Sequence, residues 1–125
     1  MQIGEFIKAT NTTMDTVRYY MDLSLLCPEL KSNRYFFTER EVMDFGVIIQ
    51  LKQWGFAVKE IQGLFEYKRQ SGCGTEELLS YVHRLLINRV QSIEENLEVL
   101  RKQKEDVLRS LHEVNSLLTG LPLHE

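Results

Sequence analysis

The chain is poor in residues that lock or cross-link a backbone: its 125 residues include only two prolines and two cysteines. Cys27 and Cys73 are too few for a disulfide scaffold, and they form no CxxC pair. No apolar run is long enough to span a membrane and no signal peptide opens the chain, so we expect a cytoplasmic protein. The length indicates one compact domain with an appendage, or one domain that dimerises.

An excess of positive charge is also missing. The net charge is −3, and residues 1–70 carry nine Lys and Arg against nine Asp and Glu. Residues 71–125 carry six against nine. A nucleic-acid partner therefore requires the basic side chains to cluster on one face, which composition cannot show.

Patterns typical of catalysis are absent from the sequence as well. His83, His112 and His124 are far apart, no serine sits in a nucleophile elbow, and no glycine-rich loop is suited to phosphate. No cluster of residues has metal-ligand spacing. We expect neither an enzyme nor a bound metal or cofactor.

What is present is concentrated in the first quarter of the chain. Residues 3–9 read as a short amphipathic helix, a polar turn around Asn11 follows, and Thr12 or Thr13 caps a second helix that runs to about Leu23. Asn tolerates the left-handed backbone that such a turn needs. The pattern predicts a helix-turn-helix in which Met14, Val17 and Met21 face inward, whereas Arg18 and Tyr19 are available to phosphates.

The elements that follow complete a winged helix. Residues 29–37 predict a β-hairpin, residues 38–41 a capping box, and a helix to about Trp54 comes next. A fourth helix is expected over about 57–70, and the glycines of residues 71–74 end it.

The ordered set of motifs resembles the MerR family of bacterial transcription regulators across about the first seventy residues. The resemblance rests on Ile3-Gly4-Glu5, Thr16-Val17-Arg18-Tyr19-Tyr20, Leu25-Leu26-x-Pro28, Asn33-Arg34-Tyr35-Phe36-Phe37-Thr38-Glu39, Leu51-Lys52-x-x-Gly55-Phe56 and Glu60-Ile61. It implies a homodimer that binds a palindromic promoter and distorts the DNA for RNA polymerase. The expected DNA contacts are Thr13, Asp15, Thr16, Arg18, Tyr19, Lys31, Arg34, Tyr35 and Lys59.

Several of these residues also have a structural interpretation. Asp15 is either a base reader or a helix N-terminal charge favoured by the dipole, and Lys59 is about as well explained as a solvated side chain. Tyr20 is expected to be partly structural, and at least one of Phe36 and Phe37 should pack in the core. The hairpin is poor in charge for the family, which indicates few phosphate contacts.

Residues 75–118 predict one long helix with a heptad seam. An apolar stripe of this length is not stable alone in water, so a second copy is the expected partner. The resemblance implies that the two helices run antiparallel. The seam consists of Leu79, Leu86, Val90, Ile93, Leu97, Leu100, Val107, Leu111, Val114 and Leu118, with Lys104 as its one polar member.

The sequence thus predicts a mainly α protein, with a winged helix-turn-helix domain over residues 1–70 and a hinge at 71–74. A coiled-coil dimerisation helix at 75–118 and a short tail at 119–125 complete it. Two alternatives stay open: a winged-helix and coiled-coil module that binds protein, and a thiol- or metal-responsive sensor using Cys73. The sequence does not identify an effector, and a protein without a small-molecule signal stays an alternative. A pocket between the long helix and the fourth helix is another alternative, although core packing is favoured for most of its aromatic candidates, Trp54, Phe56, Phe65, Tyr67 and Tyr81.

Overall fold

The computed structural model describes residues 1–121, so His124 and most of the predicted tail lie outside the described residues. The elements are five helices and a two-stranded sheet, which confirms the predicted fold class. In chain order they are α1 (Ile3–Thr10), α2 (Met14–Asp22), β1 (Glu29–Lys31), β2 (Arg34–Phe36), α3 (Glu39–Gln53), α4 (Val58–Ser71) and α5 (Glu76–Thr119). The chain divides into two units, residues 1–82 and 83–125.

The core of the first unit is built on aromatic rings. Phe6 of α1 is fully buried, stacks on Phe37 with ring centroids 4.4 Å apart, and meets Phe45 of α3 edge-on at 5.9 Å. Tyr20 of α2 reaches the same Phe45 ring at 6.0 Å. The backbone of Phe37 also exchanges two hydrogen bonds with Met1. These contacts hold the helix-turn-helix against α3 and fix the base of the hairpin.

The turns and caps follow the local sequence. Asn11 adopts the left-handed conformation at φ 53°, and Thr13, rather than Thr12, caps α2. Thr38 opens α3 with the predicted capping box, because its N–H donates to Glu41 Oε1 at 2.9 Å while its hydroxyl accepts from Arg40 N–H at 3.3 Å. Each cap satisfies helix amides that would otherwise lack partners.

One expectation about apolar packing is wrong, and another is confirmed. Met14 was expected to face inward with Val17, but it is exposed at the first turn of α2 while Val17 is buried. Of the hairpin aromatics, Phe37 is buried and Phe36 is exposed. Both strands are three residues long and all their residues are exposed, so the hairpin adds only Phe37, at its base, to the core.

Helix α5 begins in the first unit and forms the described part of the second unit from residue 83 onward. It is 44 residues long and contains no buried residue. All ten predicted seam residues are exposed. Charged pairs lie outside the seam: Arg101 bonds both Glu98, at 2.7 Å, and Glu105, and Arg109 bonds Asp106. The hydrogen bond from Arg101 lowers the pKa of Glu98. Within residues 1–121 no helix is long and apolar enough to cross a membrane.

Candidate nucleic-acid interface

Helix α2 separates its buried and exposed residues by helical spacing. Val17 and Tyr20 are buried, whereas Asp15, Arg18 and Tyr19 are exposed. The last three line one shallow groove together with Asp22 and Leu23. The helix therefore presents a guanidinium and a phenol on its outer face, flanked by two carboxylates that reduce the local positive potential.

The two threonines at the start of α2 are engaged with each other. Thr13 Oγ1 accepts from Thr16 N–H at 3.2 Å, and the two hydroxyls are 2.9 Å apart. Thr13 is exposed and Thr16 is half-buried. Their hydroxyls stabilise the helix end and still have lone pairs or a proton directed outward, so a contact with a base edge must coexist with the cap.

Lys59 lies next to the end of α2. It lines a second groove, between the end of α2 and the outer face of α4, and Leu23 belongs to both grooves. Gln62 of α4 donates to the Leu23 carbonyl at 3.1 Å and fixes this junction. The exposed Lys59 ammonium therefore extends the surface that begins at Arg18.

The hairpin places two cations opposite each other. The register pairs Lys31 with Arg34 and Leu30 with Tyr35, and the turn between the strands has left-handed Ser32 and Asn33. Like charges at paired positions repel. Lys31 is partly compensated, since its ammonium lies 3.6 Å from Glu29 and 5.5 Å from the Phe36 ring centroid. Arg34 and Tyr35 are exposed beside it.

Lys52 was not among the predicted contacts, although it stands in the motif Leu51-Lys52-x-x-Gly55. Its ammonium lies 3.4 Å from the Tyr20 hydroxyl and 5.6 Å from the centre of that ring. This contact brings a cation from α3 to α2 and gives the hydroxyl of the buried Tyr20 a polar partner.

Cys73 has a neighbour that sequence reasoning missed. Cys27 and Cys73 are both free and exposed, and they line the same cavity of the first unit. The residues are 46 positions apart, so spacing carried no signal. Among residues 1–121 no three His, Cys, Asp or Glu side chains are grouped so as to hold a metal ion.

The aromatic side chains considered for a pocket are largely packed. Phe56 and Phe65 are buried, and Tyr67 stacks on Tyr81 with ring centroids 4.6 Å apart. The Tyr81 hydroxyl comes within 3.0 Å of where a side chain on Gly63 would begin. Of the five candidates only Phe65 lines the cavity that holds the two thiols.

Residues 1–68, which contain every one of these predicted contacts, match the profile of the MerR HTH family of regulatory proteins. The match covers more than half of the chain. The chain belongs to this family.

This chain is also similar to a solved structure. A chain of the cryo-EM structure of the EcmrR–DNA complex in EcmrR-RPo aligns with a TM-score of 0.54 and 26% sequence identity. The alignment covers 95% of this chain but 38% of that one, so this chain spans well under half of the length of EcmrR. No curated protein sequence matches.

Proposed function

We propose that this protein is a sequence-specific DNA-binding transcription regulator that acts as a homodimer on a palindromic promoter site. The observation that carries the proposal is the family match over a winged helix whose recognition helix exposes Arg18 and Tyr19 side by side. The similarity to EcmrR, solved with DNA in EcmrR-RPo, supports DNA and RNA polymerase as partners. Such a role is exercised on the nucleoid in the cytoplasm.

The contacts divide by chemistry into positioning and reading. Arg18 can form paired hydrogen bonds to a phosphate, Tyr19 can donate its hydroxyl to the next one, and Lys59 adds a point charge. On the hairpin, a phosphate between Lys31 and Arg34 would relieve their mutual repulsion, with Tyr35 beside them. Thr13, Asp15 and Thr16 stand at the helix end that would enter the major groove, where bases are read.

The proposed homodimer depends on the long helix α5. Its ten seam residues are exposed in a single chain, and pairing with a second copy would cover them. A parallel pairing in register would place Lys104 against Lys104 of the second copy within an apolar seam. An antiparallel pairing separates the two charges, so we propose the antiparallel arrangement. Residues 1–70 would then bind DNA, 71–74 act as a hinge, and 75–118 dimerise, with residues 119–125 as a tail.

Activation would work through the DNA. A dimer that deforms a promoter selects sequences by their deformability as well as by base contacts. With few cations on the hairpin, we expect the salt dependence to be shallower than for a basic wing.

The test is fluorescence anisotropy with the DNA upstream of the protein's own gene, over a range of salt. We expect tight, sequence-selective binding that weakens as salt rises. Arg18→Ala should weaken it by about ten- to hundredfold, since a hydrogen bond to a charged group contributes roughly 1.5–3 kcal/mol. The slope of log affinity against log salt should fall by about one per lost phosphate contact. Arg109→Ala removes the same charge from an exposed site on α5 and should leave binding unchanged.

Equal, weak binding to any DNA would contradict the proposal. A protein-binding module is the second candidate, favoured by the exposed apolar side chains of the hairpin, Leu30, Tyr35 and Phe36. In that case Arg18→Ala and Arg109→Ala would have the same weak affinity for DNA.

A further inference from the structure

A cavity of about 520 Å³ lies within the winged-helix unit, away from the outer face of α2. The loop between α2 and β1 forms one side, the first turns of α3 and the last turns of α4 form two more, and the loop after α4 closes it. Its volume falls in the range of small-molecule sites, roughly 300–1,000 Å³. None of the predicted DNA contacts lines it.

Part of the wall is apolar. Leu25 and Phe65 are buried side chains that turn an apolar surface to the cavity. Met43 stands at the mouth and is 70% exposed. Because the methionine side chain is unbranched and flexible, it can adapt its shape to an apolar ligand.

The rest of the wall carries an unbalanced positive charge. Arg40, Lys68 and Arg69 line the cavity together with the carboxylates of Glu41 and Asp44. Both carboxylates are already engaged. Glu41 bonds Thr38 and Arg40 Nε at 3.0 Å, and Asp44 bonds Lys68 at 3.1 Å.

Lys68 is paired with Asp44, whereas the two guanidinium groups have N–H donors that are not paired with a carboxylate. Arg40 touches Glu41 through Nε, and its side chain is largely exposed. Glu41 raises the pKa of Arg40, so the group stays charged. Arg69 donates to the Ser24 carbonyl, which is neutral. A guanidinium pairs with a carboxylate through two parallel hydrogen bonds, and beside the apolar part of the wall this chemistry suits an organic carboxylate.

We propose that this cavity is a binding site for a small amphipathic carboxylate, whose apolar part lies on Leu25, Met43 and Phe65 and whose carboxylate meets Arg40 and Arg69. The site borders the loop that leads into the hairpin. If the proposed DNA binding holds, occupancy would bias the position of the hairpin. Binding of the ligand itself does not depend on DNA binding and is measured without DNA.

The experiment uses the full chain and a pair of matched probes, 1-naphthoate and its neutral analogue 1-naphthamide. We expect 1-naphthoate to bind one molecule per chain, followed by its fluorescence, and at least about tenfold more tightly than the amide, which corresponds to about 1.4 kcal/mol. The same ligand should slow the reaction of N-ethylmaleimide with both Cys27 and Cys73, scored by peptide mass spectrometry.

Matched variants locate the site. Arg40→Gln and Met43→Glu should each weaken 1-naphthoate binding by about tenfold or more. Arg109→Gln and Val47→Glu are the controls. Val47 is an exposed apolar residue one turn from Met43 on the same helix, and it does not line the cavity. Circular dichroism of each variant verifies the fold.

Three results would overturn the proposal. Equal affinity for acid and amide would show that no cation selects the ligand. An unchanged affinity in Arg40→Gln and Met43→Glu would place the probe elsewhere. Thiol protection that depends on protein concentration and not on 1-naphthoate would assign the cavity to a second copy of the chain.

Discussion

The two units of this chain treat their apolar residues in opposite ways. In residues 1–82, side chains from α1, α2, α3 and α4 bury one another, and the core closes on Phe6. In the helix beyond residue 82, as far as the structure describes it, no side chain is buried and a whole seam of Leu, Val and Ile faces outward. Both segments have helices with one apolar side, so amphipathicity alone does not distinguish them.

The difference lies in where the covering surface comes from. Short helices joined by tight turns can fold back on each other, and the left-handed Asn11 and the capped α3 make that possible. Helix α5, with 44 residues, is about 66 Å long and does not fold back on itself. None of its described residues is buried, and a second copy is the partner proposed above, so the stability of this part is expected to depend on protein concentration.

The largest effect expected within one chain is at Phe6. Phe6→Ala removes the ring that Phe37 and Phe45 contact and should lower the free energy of unfolding of the first unit by about 3–5 kcal/mol. Urea unfolding followed by the fluorescence of Trp54, the single tryptophan, measures it. Phe36→Ala, on the exposed hairpin, should cost less than about 1 kcal/mol. A Phe6→Ala protein that also loses its dimer would contradict the separation of the two units.

The next largest effect is expected on the seam of α5. Leu97 and Val99 are 60% and 54% exposed in the single chain, but only Leu97 belongs to the seam. Leu97→Asp would bury an unpaired carboxylate in the dimer and should weaken dimerisation by about a hundredfold or more, or roughly 3 kcal/mol. Val99→Asp should leave dimerisation nearly unchanged. Analytical ultracentrifugation measures the dimerisation affinity of both variants. Equal affinities would refute the assigned seam.

The smallest effects concern two threonine caps in the first unit. Thr13→Ala and Thr38→Ala each remove a side-chain acceptor at a helix start and should each cost about 1 kcal/mol of stability. Under conditions in which both variants stay folded, only Thr13→Ala should also weaken DNA binding, since Thr38 opens α3. Anisotropy titrations beside urea curves make the test. An equal loss of affinity in both folded variants would contradict a specific role of Thr13 in DNA binding.

Much of this fold was predictable because it depends on short-range rules. The helix-turn-helix follows from the spacing of Phe6 and Val17 and from the cap at Thr13, and the hairpin follows from its turn residues. The alternatives for Phe36 and Phe37 were not separable from sequence, because both are aromatic and they are adjacent. Lys52 was missed because its partner, Tyr20, is 32 residues away.

The candidate interface was less predictable than the fold. Local spacing placed Arg18 and Tyr19 outside the core, and the structure agrees that they are exposed. Their role in DNA binding remains a prediction. The adjacency of Lys59 to the end of α2 comes from the packing of α4 at Leu23, which is a long-range contact.

The sequence by itself determined the element order, the caps and the long helix with its exposed apolar seam, because each depends on residues within one or two helical turns. Only the tertiary structure brought Cys27 to the same cavity as Cys73 and set Arg40, Lys68 and Arg69 around its wall. Those residues come from segments separated by tens of positions. Their meeting depends on how α3 and α4 pack, and no local pattern encodes that packing.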